Sequence, residues 1–430
     1  MNSQLQTALE LAPDPALPQR DDLLDDVLVG ARLHELFEGA SAGVQMTECM
    51  RLRAKYRMGE SLRATYRIVD DNGSRLVSAR MFTVDKAARQ LARAREAALS
   101  AGVPPHSVLL DESMSTVFWV FPQDRKLHGL GQLTCPPASL REVFGEPWVH
   151  SELMAYMPEK SATARCSDES GVTVGFAKMQ IGDEGRRSVS VLRAARRGLA
   201  EQGLLQLPDV IGYLPERHLA LFSPAPGLPL HQVDRAAVPD AMAALGAALS
   251  VLHRQPTEGF APFTRLRPDS VAHAGRLVDA ARPDLAPLTQ KLVGSLLSTP
   301  RASGPRVLLH GDLHPKNVLV HDAGVSLVDL DQAGVGPAAA ELGGTLARLW
   351  CPRPGDEIEP GRAAAAADVL LDSYDHPPPY DDLLWHAAAA LLVERAARAV
   401  GRVDGAVMAD LDRVLATALR WAGQAAGDRR

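Results

Sequence analysis

Cysteine is scarce in this sequence, and the few cysteines lack the spacing of a metal site or a disulfide scaffold. The 430 residues include only Cys49, Cys135, Cys166 and Cys351, and no two of these form a Cys-x-x-Cys pair. Isolated cysteines of this kind are typical of buried thiols in a reducing compartment. The sequence therefore gives no support to a zinc protein or a disulfide-rich secreted domain.

Long apolar runs and an excess of positive charge are also absent. No stretch approaches the roughly 18 uninterrupted apolar residues of a membrane-spanning helix. The first residues lack the basic and then apolar order of a signal peptide. The net charge is −6, so no basic surface for a nucleic acid is predicted. We therefore expect a cytoplasmic protein that binds neither nucleic acid nor membrane, and the composition leaves its oligomeric state open.

The first half of the chain contains two similar series of predicted elements. Each series has three strand-like runs and then a helical pattern, at 50–56, 62–68, 76–82 and 86–100 in the first and at 153–157, 162–166, 172–179 and 186–202 in the second. The aligned positions include Tyr56 with Tyr156, Ser61 with Ser161 and Arg80 with Lys178. We interpret the pattern as an internal duplication, although two such units could also look alike by chance.

The flanking regions differ from these two series. Residues 1–24 are polar and rich in proline, which predicts a loosely held tail. From residue 226 onward helical patterns dominate, except for two short apolar strands within 306–330. A chain of 430 residues exceeds the roughly 250–300 residues at which one core stops growing, so two or three domains are expected.

One short segment carries most of the chemistry. The segment His310-Gly311-Asp312-Leu313-His314-Pro315-Lys316-Asn317 lies between two apolar runs, and Asp329 follows on the next predicted strand. Phosphoryl transfer needs a carboxylate that receives the proton of the acceptor hydroxyl and oxygen ligands for Mg²⁺. The pattern H-G-D-x-x-x-x-N differs at one position from the protein-kinase catalytic loop. Because asparagine occurs at only three positions in the chain, a chance match is rare.

At these residues the sequence resembles the aminoglycoside phosphotransferase and choline kinase family, which has a protein-kinase-like fold. The stretch Gly334-Val335-Gly336-Pro337, followed by Glu341-Leu342, is similar to the one after the metal-binding aspartate of that family. The duplicated front end is similar to that of actinobacterial sugar and amino-sugar kinases with an N-terminal cap. The resemblance implies an α+β, protein-kinase-like bilobal fold, with a small antiparallel-sheet lobe, a larger helical lobe and a preceding cap that resembles a second small lobe.

The resemblance also implies domain boundaries and roles. We expect the cap at 1–145, the small lobe at 146–226 and the helical large lobe at 227–430. Asp312 would be the catalytic base, and Asn317 and Asp329 would hold Mg²⁺. ATP would be the phosphate donor.

The same resemblance assigns a nucleotide-binding role to three residues of the small lobe. Lys178 would bind the ATP phosphates, and backbone groups near Ser223 and Ala225 would meet the adenine. The first copy has Arg80 in place of the lysine and no second H-G-D loop follows it, so we expect that copy to be a cap or interface module.

Two departures from the kinase pattern leave an alternative open. The turn at 157–161 contains no glycine, and the helical pattern at 186–200 contains no acidic residue to pair with Lys178. Glu184 and Glu201 are the nearby candidates for that pairing. The alternative is a catalytically impaired pseudokinase that acts as a nucleotide- or partner-binding scaffold.

The expected reaction is transfer of the γ-phosphate of ATP to a hydroxyl of a small molecule. Candidate acceptor-binding residues are His314, Asp331, Asp372, Trp385, His386 and Glu394. His310 is predicted to brace the loop by hydrogen bonds, and His253 is predicted to cap the helix that it ends. The negative net charge suits a cationic acceptor such as an amino sugar, and sugars and aminoglycoside-like natural products are also candidates.

Overall fold

The computed structural model describes residues 11–40, 46–71, 73–145, 147–199, 203–299, 304–352 and 360–427. The chain divides into two compact units. The first comprises Met1–Gly185, Leu214–Leu219 and Val400–Asp404, and the second comprises Arg186–Tyr213, Ala220–Ala399 and Gly405–Arg430. The domain boundaries expected near residues 145 and 226 stay predictions.

The first copy of the repeat forms an antiparallel sheet with helices beside it. Its elements are α1 (Asp26–Gly39), β1 (Met46–Arg57), β2 (Ser61–Asp70), β3 (Gly73–Phe82), α2 (Val84–Ser100), β4 (Val108–Asp111), β5 (Thr116–Val120) and α3 (Gly131–Thr134). The strand order is β1-β2-β3-β5-β4. β2 ends at Asp70, which pairs with Gly73 at the start of β3.

The second copy repeats this arrangement. Its elements are β6 (His150–Met157), β7 (Ser161–Ser167), β8 (Thr173–Gln180), α4 (Glu184–Arg196), β9 (Leu205–Gln206), β10 (Val210–Leu214) and β11 (Leu219–Phe222), and the sheet order is β10-β11-β8-β7-β6. Arg80 lies opposite Arg63 in the first sheet, and Lys178 lies opposite Thr163 in the second. The equal registers confirm the alignment of the two copies.

An aspartate ahead of each copy holds the turn between its first two strands. In both copies one carboxylate oxygen accepts a hydrogen bond from a tyrosine hydroxyl at 2.7 Å and another from a backbone N–H of the turn. The two sets are Asp14 with Tyr56 and Gly59, and Asp124 with Tyr156 and Glu159. The alignment of the strands did not include these aspartates, so the shared contact is independent support for an internal duplication of the two copies.

Two expectations about this half of the chain are wrong. The segment before α1 is not loosely held where the structure describes it, because Leu17 and Arg20 are buried and Asp14 anchors the segment to the sheet. The helix expected at 186–202 ends at Arg196. The Arg196 side chain donates a hydrogen bond to the Leu207 carbonyl of the returning segment.

The turn between β6 and β7 is fastened by one buried carboxylate. Glu159 is 4% exposed and pairs with Arg80, with Arg125 at 2.8 Å and with Arg63 at 3.6 Å. Burial raises the pKa of Glu159, but the hydrogen bonds of Arg125 and Arg80 outweigh that effect and lower the pKa to about 2. Arg80, the counterpart of Lys178 in the first copy, thus binds a carboxylate of the second copy.

The second unit is mainly helical. Its further elements are β12 (Leu228–Pro229), α5 (Val238–His253), α6 (Pro268–Ala281), α7 (Ala286–Ser298), β13 (Arg306–Leu309), β14 (Val318–His321), β15 (Gly324–Leu327), β16 (Gly334–Pro337), α8 (Ala338–Trp350), α9 (Pro360–Asp372), α10 (Tyr380–Ala390), a π-helical turn (Leu391–Ala396), α11 (Ala397–Arg402), α12 (Gly405–Met408) and α13 (Leu411–Ala425). The small sheets have the orders β12-β14-β15-β9 and β13-β16.

The core of this unit lies between the long helices. Leu249 of α5, Leu342 of α8 and Leu415 of α13 are fully buried and belong to one apolar cluster. Among the described residues, the helical stretch Arg235–His253 is long and apolar enough to cross a membrane by length and composition. Half of that window is buried in the protein, and core helices pass the same test, so it is weak evidence for a membrane span.

The ion pairs of Glu159 give a test of the turn. We expect Glu159→Gln to lower the free energy of unfolding by about 3 kcal/mol near neutral pH, because three arginines lose their buried partner. The folded-state pKa is depressed, so the loss relative to wild type should shrink as pH falls from 4.5 toward about 2. Denaturant unfolding of both proteins across that range measures the difference.

The matched control is Glu60→Gln, in the corresponding turn of the first copy. Glu60 is 67% exposed and lies 3.7 Å from Arg57, so its loss should change stability by less than about 0.5 kcal/mol. Equal unfolding curves for Glu159→Gln and wild type would contradict the role given to this carboxylate.

Candidate active site

The hairpin of β14 and β15 brings the predicted metal ligands to one end. Val318 pairs with Leu327, and just beyond them the Val328 N–H donates to the Asn317 carbonyl at 3.0 Å. Asn317 immediately precedes β14, and Asp329 follows β15 after Val328. The two residues are therefore neighbours at the end of one hairpin, although twelve positions separate them in the sequence.

The orientation of Asn317 suits a cation ligand. Its side chain is buried, and its Nδ2 donates to the Asp312 carbonyl at 3.1 Å, which leaves the amide oxygen as the group for a cation. Asp329 has an exposed side chain and a φ of +64°, a left-handed conformation that is costly for a residue other than glycine. One carboxylate and one amide oxygen at the end of a hairpin fit Mg²⁺, which takes few protein ligands and completes its shell with phosphates and water.

The loop before Asn317 is braced by a buried carboxylate. Glu341 of α8 accepts the backbone N–H of His310 at 2.9 Å and that of Gly311 at 2.8 Å. Gly311 has a φ of +79°, and a Cβ there would lie 2.1 Å from the Gln332 carbonyl, so the loop requires glycine at this position. Sequence reasoning noted Glu341 as part of the family pattern but gave it no role.

His310 braces the same loop, as predicted. Its Nδ1 accepts the Asp312 N–H at 3.3 Å, and its Nε2 lies 3.0 Å from the Val328 carbonyl. This pair of contacts requires the proton on Nε2. His310 therefore links the loop of Asp312 to the strand that leads to Asp329.

His253 does not cap α5, contrary to the sequence-based expectation. Its side chain turns into the core, where Nε2 lies 3.1 Å from Glu341 and Nδ1 lies 2.8 Å from the Tyr374 hydroxyl. Burial raises the pKa of Glu341, but the hydrogen bonds from His253 and from the His310 N–H outweigh it and hold the pKa below its usual value. The core thus satisfies a charge that would otherwise be costly to bury.

Asp312 is held through one of its two oxygens. Its Oδ1 lies 3.1 Å from Arg348, 3.4 Å from Arg265 and 3.9 Å from Arg398. Among the described residues none donates a hydrogen bond to Oδ2, and the side chain is 27% exposed. Burial raises the pKa of Asp312, but the positive charges of Arg348, Arg265 and Arg398 outweigh it and hold the pKa well below its usual value. The carboxylate is therefore ionised, oriented and open at one oxygen.

Glu394 is the predicted acceptor residue that the described contacts place beside Asp312. It is buried in the π-helical turn and pairs with Arg348 at 2.8 Å and with Arg265 at 3.2 Å, the same arginines that hold Asp312. A π-helical turn often marks a functional site, because the extra residue re-aims side chains within a helix.

The predicted acceptor residues of the C-terminal helices lie in other surroundings. Trp385 is buried and its Nε1 donates to the Leu296 carbonyl at 3.1 Å, a contact with the core. The His386 Nδ1 lies 2.8 Å from the Asp382 carbonyl, and its side chain lines a cavity of about 360 Å³. Asp372 is exposed at the last residue of α9.

The remaining loop candidates flank Asn317 and Asp329. His314 is buried and, together with Arg348, lines a cavity of about 30 Å³ under the loop. Asp331 is half-buried in the turn after Asp329. These observations do not place either residue in an acceptor-binding site.

Of the three predicted nucleotide residues, Lys178 lies on a strand, and Ser223 and Ala225 follow one. Lys178 is half-buried on β8, and Ala225 lies between β11 and β12. The Ser223 N–H donates to the Asp209 carbonyl at 2.9 Å, so adenine could use that donor only by breaking this bond. Glu184 begins α4, and Glu201 lies outside the described residues.

Three arginines of this site were missed by sequence reasoning. Arg265 precedes Asp312 by 47 residues and Arg348 follows it by 36, and neither forms part of a recognisable motif. Among the described residues, no group of three His, Cys, Asp or Glu side chains is placed to hold a metal ion. The candidate metal position therefore rests on Asn317 and Asp329.

Comparisons with known proteins bear on the family and the fold of the chain. Residues 192–383 match the APH phosphotransferase enzyme family, and none of the curated proteins matches the chain. A thermostable mutant of aminoglycoside phosphotransferase APH(4)-Ia is 16% identical with a TM-score of 0.50, over 67% of this chain and 98% of that one.

Two further solved structures are similar at lower TM-scores. Macrolide 2'-phosphotransferase MphH from Brachybacterium faecium is 21% identical, with a TM-score of 0.41 over 63% of this chain and 90% of that one. A choline/ethanolamine kinase family protein from Mesorhizobium loti is 15% identical, with a TM-score of 0.46 over 68% of this chain and 97% of that one. The family match and the first structure together confirm the resemblance: residues 192–383 match the model of the APH phosphotransferase family, and the chain has a protein-kinase-like fold.

Proposed function

We propose that this protein transfers the γ-phosphate of ATP to a hydroxyl group of a small molecule, with Mg²⁺ as the metal. The observation that carries the proposal is the state of Asp312, an ionised carboxylate fixed through Oδ1 and open at Oδ2 beside the metal-ligand pair. APH phosphotransferases use ATP and Mg²⁺, and residues 192–383 match that family.

In the proposed reaction the open oxygen of Asp312 accepts a hydrogen bond from the acceptor hydroxyl. This bond orients the hydroxyl oxygen for in-line attack, and Asp312 receives the proton as the new P–O bond forms. The arginines stabilise the ionised form of Asp312, so the carboxylate acts chiefly by positioning rather than by high basicity. The bond between the γ-phosphorus and the β–γ bridging oxygen breaks, and ADP leaves with that oxygen.

The metal position completes the proposed site. The Asn317 amide oxygen and the Asp329 carboxylate would hold Mg²⁺, which, when bound, neutralises charge on the phosphates. Lys178 is proposed as a phosphate-binding residue on the strength of its place on the third strand of the small lobe.

Activity is tested by acceptor-stimulated release of ADP from Mg·ATP, over sugars, amino sugars, nucleosides and hydroxy acids. We expect at least one class of acceptor to raise the rate above slow hydrolysis by water. Binding of Mg·ATP without either hydrolysis or transfer would instead support the nucleotide-binding scaffold.

Asp312→Asn removes the carboxylate that receives the proton and keeps the shape of the side chain. We expect kcat to fall by about 10²-fold to 10⁴-fold, while the Kd of Mg·ATP changes less than about threefold. Steady-state kinetics and calorimetric titration measure the two quantities.

The control for this variant is Asp322→Asn, because Asp322 is an exposed residue of the turn between β14 and β15. It should leave kcat near the wild-type value. A near-normal kcat for Asp312→Asn would show that the base lies elsewhere.

Asp329→Ala tests the metal position separately. We expect the Kd of Mg·ATP to rise by roughly tenfold or more, and the Kd of ATP measured with EDTA to change little, because only the metal-dependent part of binding is lost. Asp322→Ala serves as the matched control. If Mg²⁺ strengthened nucleotide binding as much in Asp329→Ala as in wild type, Asp329 would not be a ligand.

A further inference from the structure

The surroundings of Asp312 have an excess of positive charge. Arg265, Arg348 and Arg398 are named here the arginine cluster. Within the part of the chain that the structure describes, they pair with two carboxylates, Asp312 and Glu394. Both carboxylates are already paired. A cationic acceptor would find no unpaired carboxylate in this cluster and would be repelled by its excess charge.

Part of the hydrogen-bonding capacity of the cluster is unused. Arg398 lies 3.9 Å from Asp312, beyond hydrogen-bonding distance, and no described residue accepts a hydrogen bond from it. Its side chain is 26% exposed, so its donors can be reached by a ligand. Arg265 makes only long contacts, at 3.2 to 3.4 Å, to Glu394, Asp312 and Gln332. Guanidinium donors of this kind match carboxylate and phosphate oxygens in pairs.

A fourth arginine adds positive charge in the π-helical turn that contains Glu394. Arg395 is 5% exposed, and its Nε and Nη2 have no hydrogen-bond partner among the described residues. It follows Glu394 in the π-helical turn and shares a cavity with Arg348. Because a buried, partly unsatisfied guanidinium is costly, a nearby anion would be favoured over a cation.

We propose that the acceptor carries an anionic group, a carboxylate or a phosphate, close to the hydroxyl that is phosphorylated, and that Arg265 and Arg398 bind this group. The proposal rests on the proposed phosphotransferase function and names its substrate class. With the anion on these two arginines, Arg348 keeps Oδ1 of Asp312 in place, and Oδ2 faces the hydroxyl. The acceptor would then be an anionic hydroxy compound rather than the amino sugar that the net charge of the chain suggested.

The test measures binding of simple anions to the full-length protein saturated with Mg·ADP. Tartrate probes a carboxylate and glycerol phosphate a phosphate, with glycerol and ethanolamine as the neutral and cationic counterparts. We expect one or both anions to bind in about the millimolar range, and glycerol and ethanolamine to bind at least roughly tenfold more weakly. The stronger of the two anions identifies the group.

Variants of the cluster show where the anion binds. Arg265→Gln and Arg398→Gln should each weaken anion binding by roughly tenfold to 100-fold without changing the Kd of Mg·ADP. Arg398→Lys keeps the charge and should retain part of the binding. The control, Arg413→Gln, removes a 62% exposed arginine paired with Asp410 and should have no effect.

Three results would overturn the proposal. The first is that the wild-type protein binds neither anion, and the second is that ethanolamine binds more tightly than the anions. The third is that Arg398→Gln and wild type bind the anions equally while thermal unfolding shows that both proteins are folded. Failure of the phosphotransferase function would be seen separately, as absence of Mg·ADP binding and of ATP turnover. In that case anion binding is measured on the nucleotide-free protein, so the two claims are decided independently.

Discussion

The geometry of the site depends on one buried carboxylate to which the proposed reaction gives no catalytic role. Glu341 accepts the backbone N–H groups of His310 and Gly311 and contacts His253, so α8 and α5 are joined to the start of the catalytic loop. A buried charge is tolerated only when its acceptor capacity is used, and here three donors use it. Gly311 has a positive φ and immediately precedes Asp312, so the contact with Glu341 fixes the backbone that positions Asp312.

The second constraint is the balance of charge around Asp312. Arginines on one oxygen keep the carboxylate ionised and fix its orientation, and Glu394 shares two of those arginines. The same arrangement that orients Asp312 leaves donors of Arg398 unused, so the proposed base and the proposed site for an anionic acceptor share one cluster. Net charge of the whole chain gave no guide to this local excess, because charge on distant surfaces contributes little at the site.

The sequence predicted what is local and missed what is brought together from distant segments. The loop residues Asp312 and Asn317 form a short motif, and the strand-like runs of both copies follow from alternation and turn residues, so these were accessible. Arg265 and Arg348 come from elements 47 and 36 residues away from Asp312 and have no spacing rule that would single them out. His253 was predicted to cap a helix because it stands at a helix end. Its actual partner, Glu341, lies 88 residues later and could not be inferred from the local sequence.

The account is tested most directly by a crystal structure of the full chain with Mg²⁺ and a non-hydrolysable ATP analogue. It predicts metal density on the Asn317 amide oxygen and the Asp329 carboxylate, with Oδ1 of Asp312 on the arginines and Oδ2 directed to the terminal phosphate. A metal ion held by other residues, or Asp312 turned away from the terminal phosphate, would contradict the account.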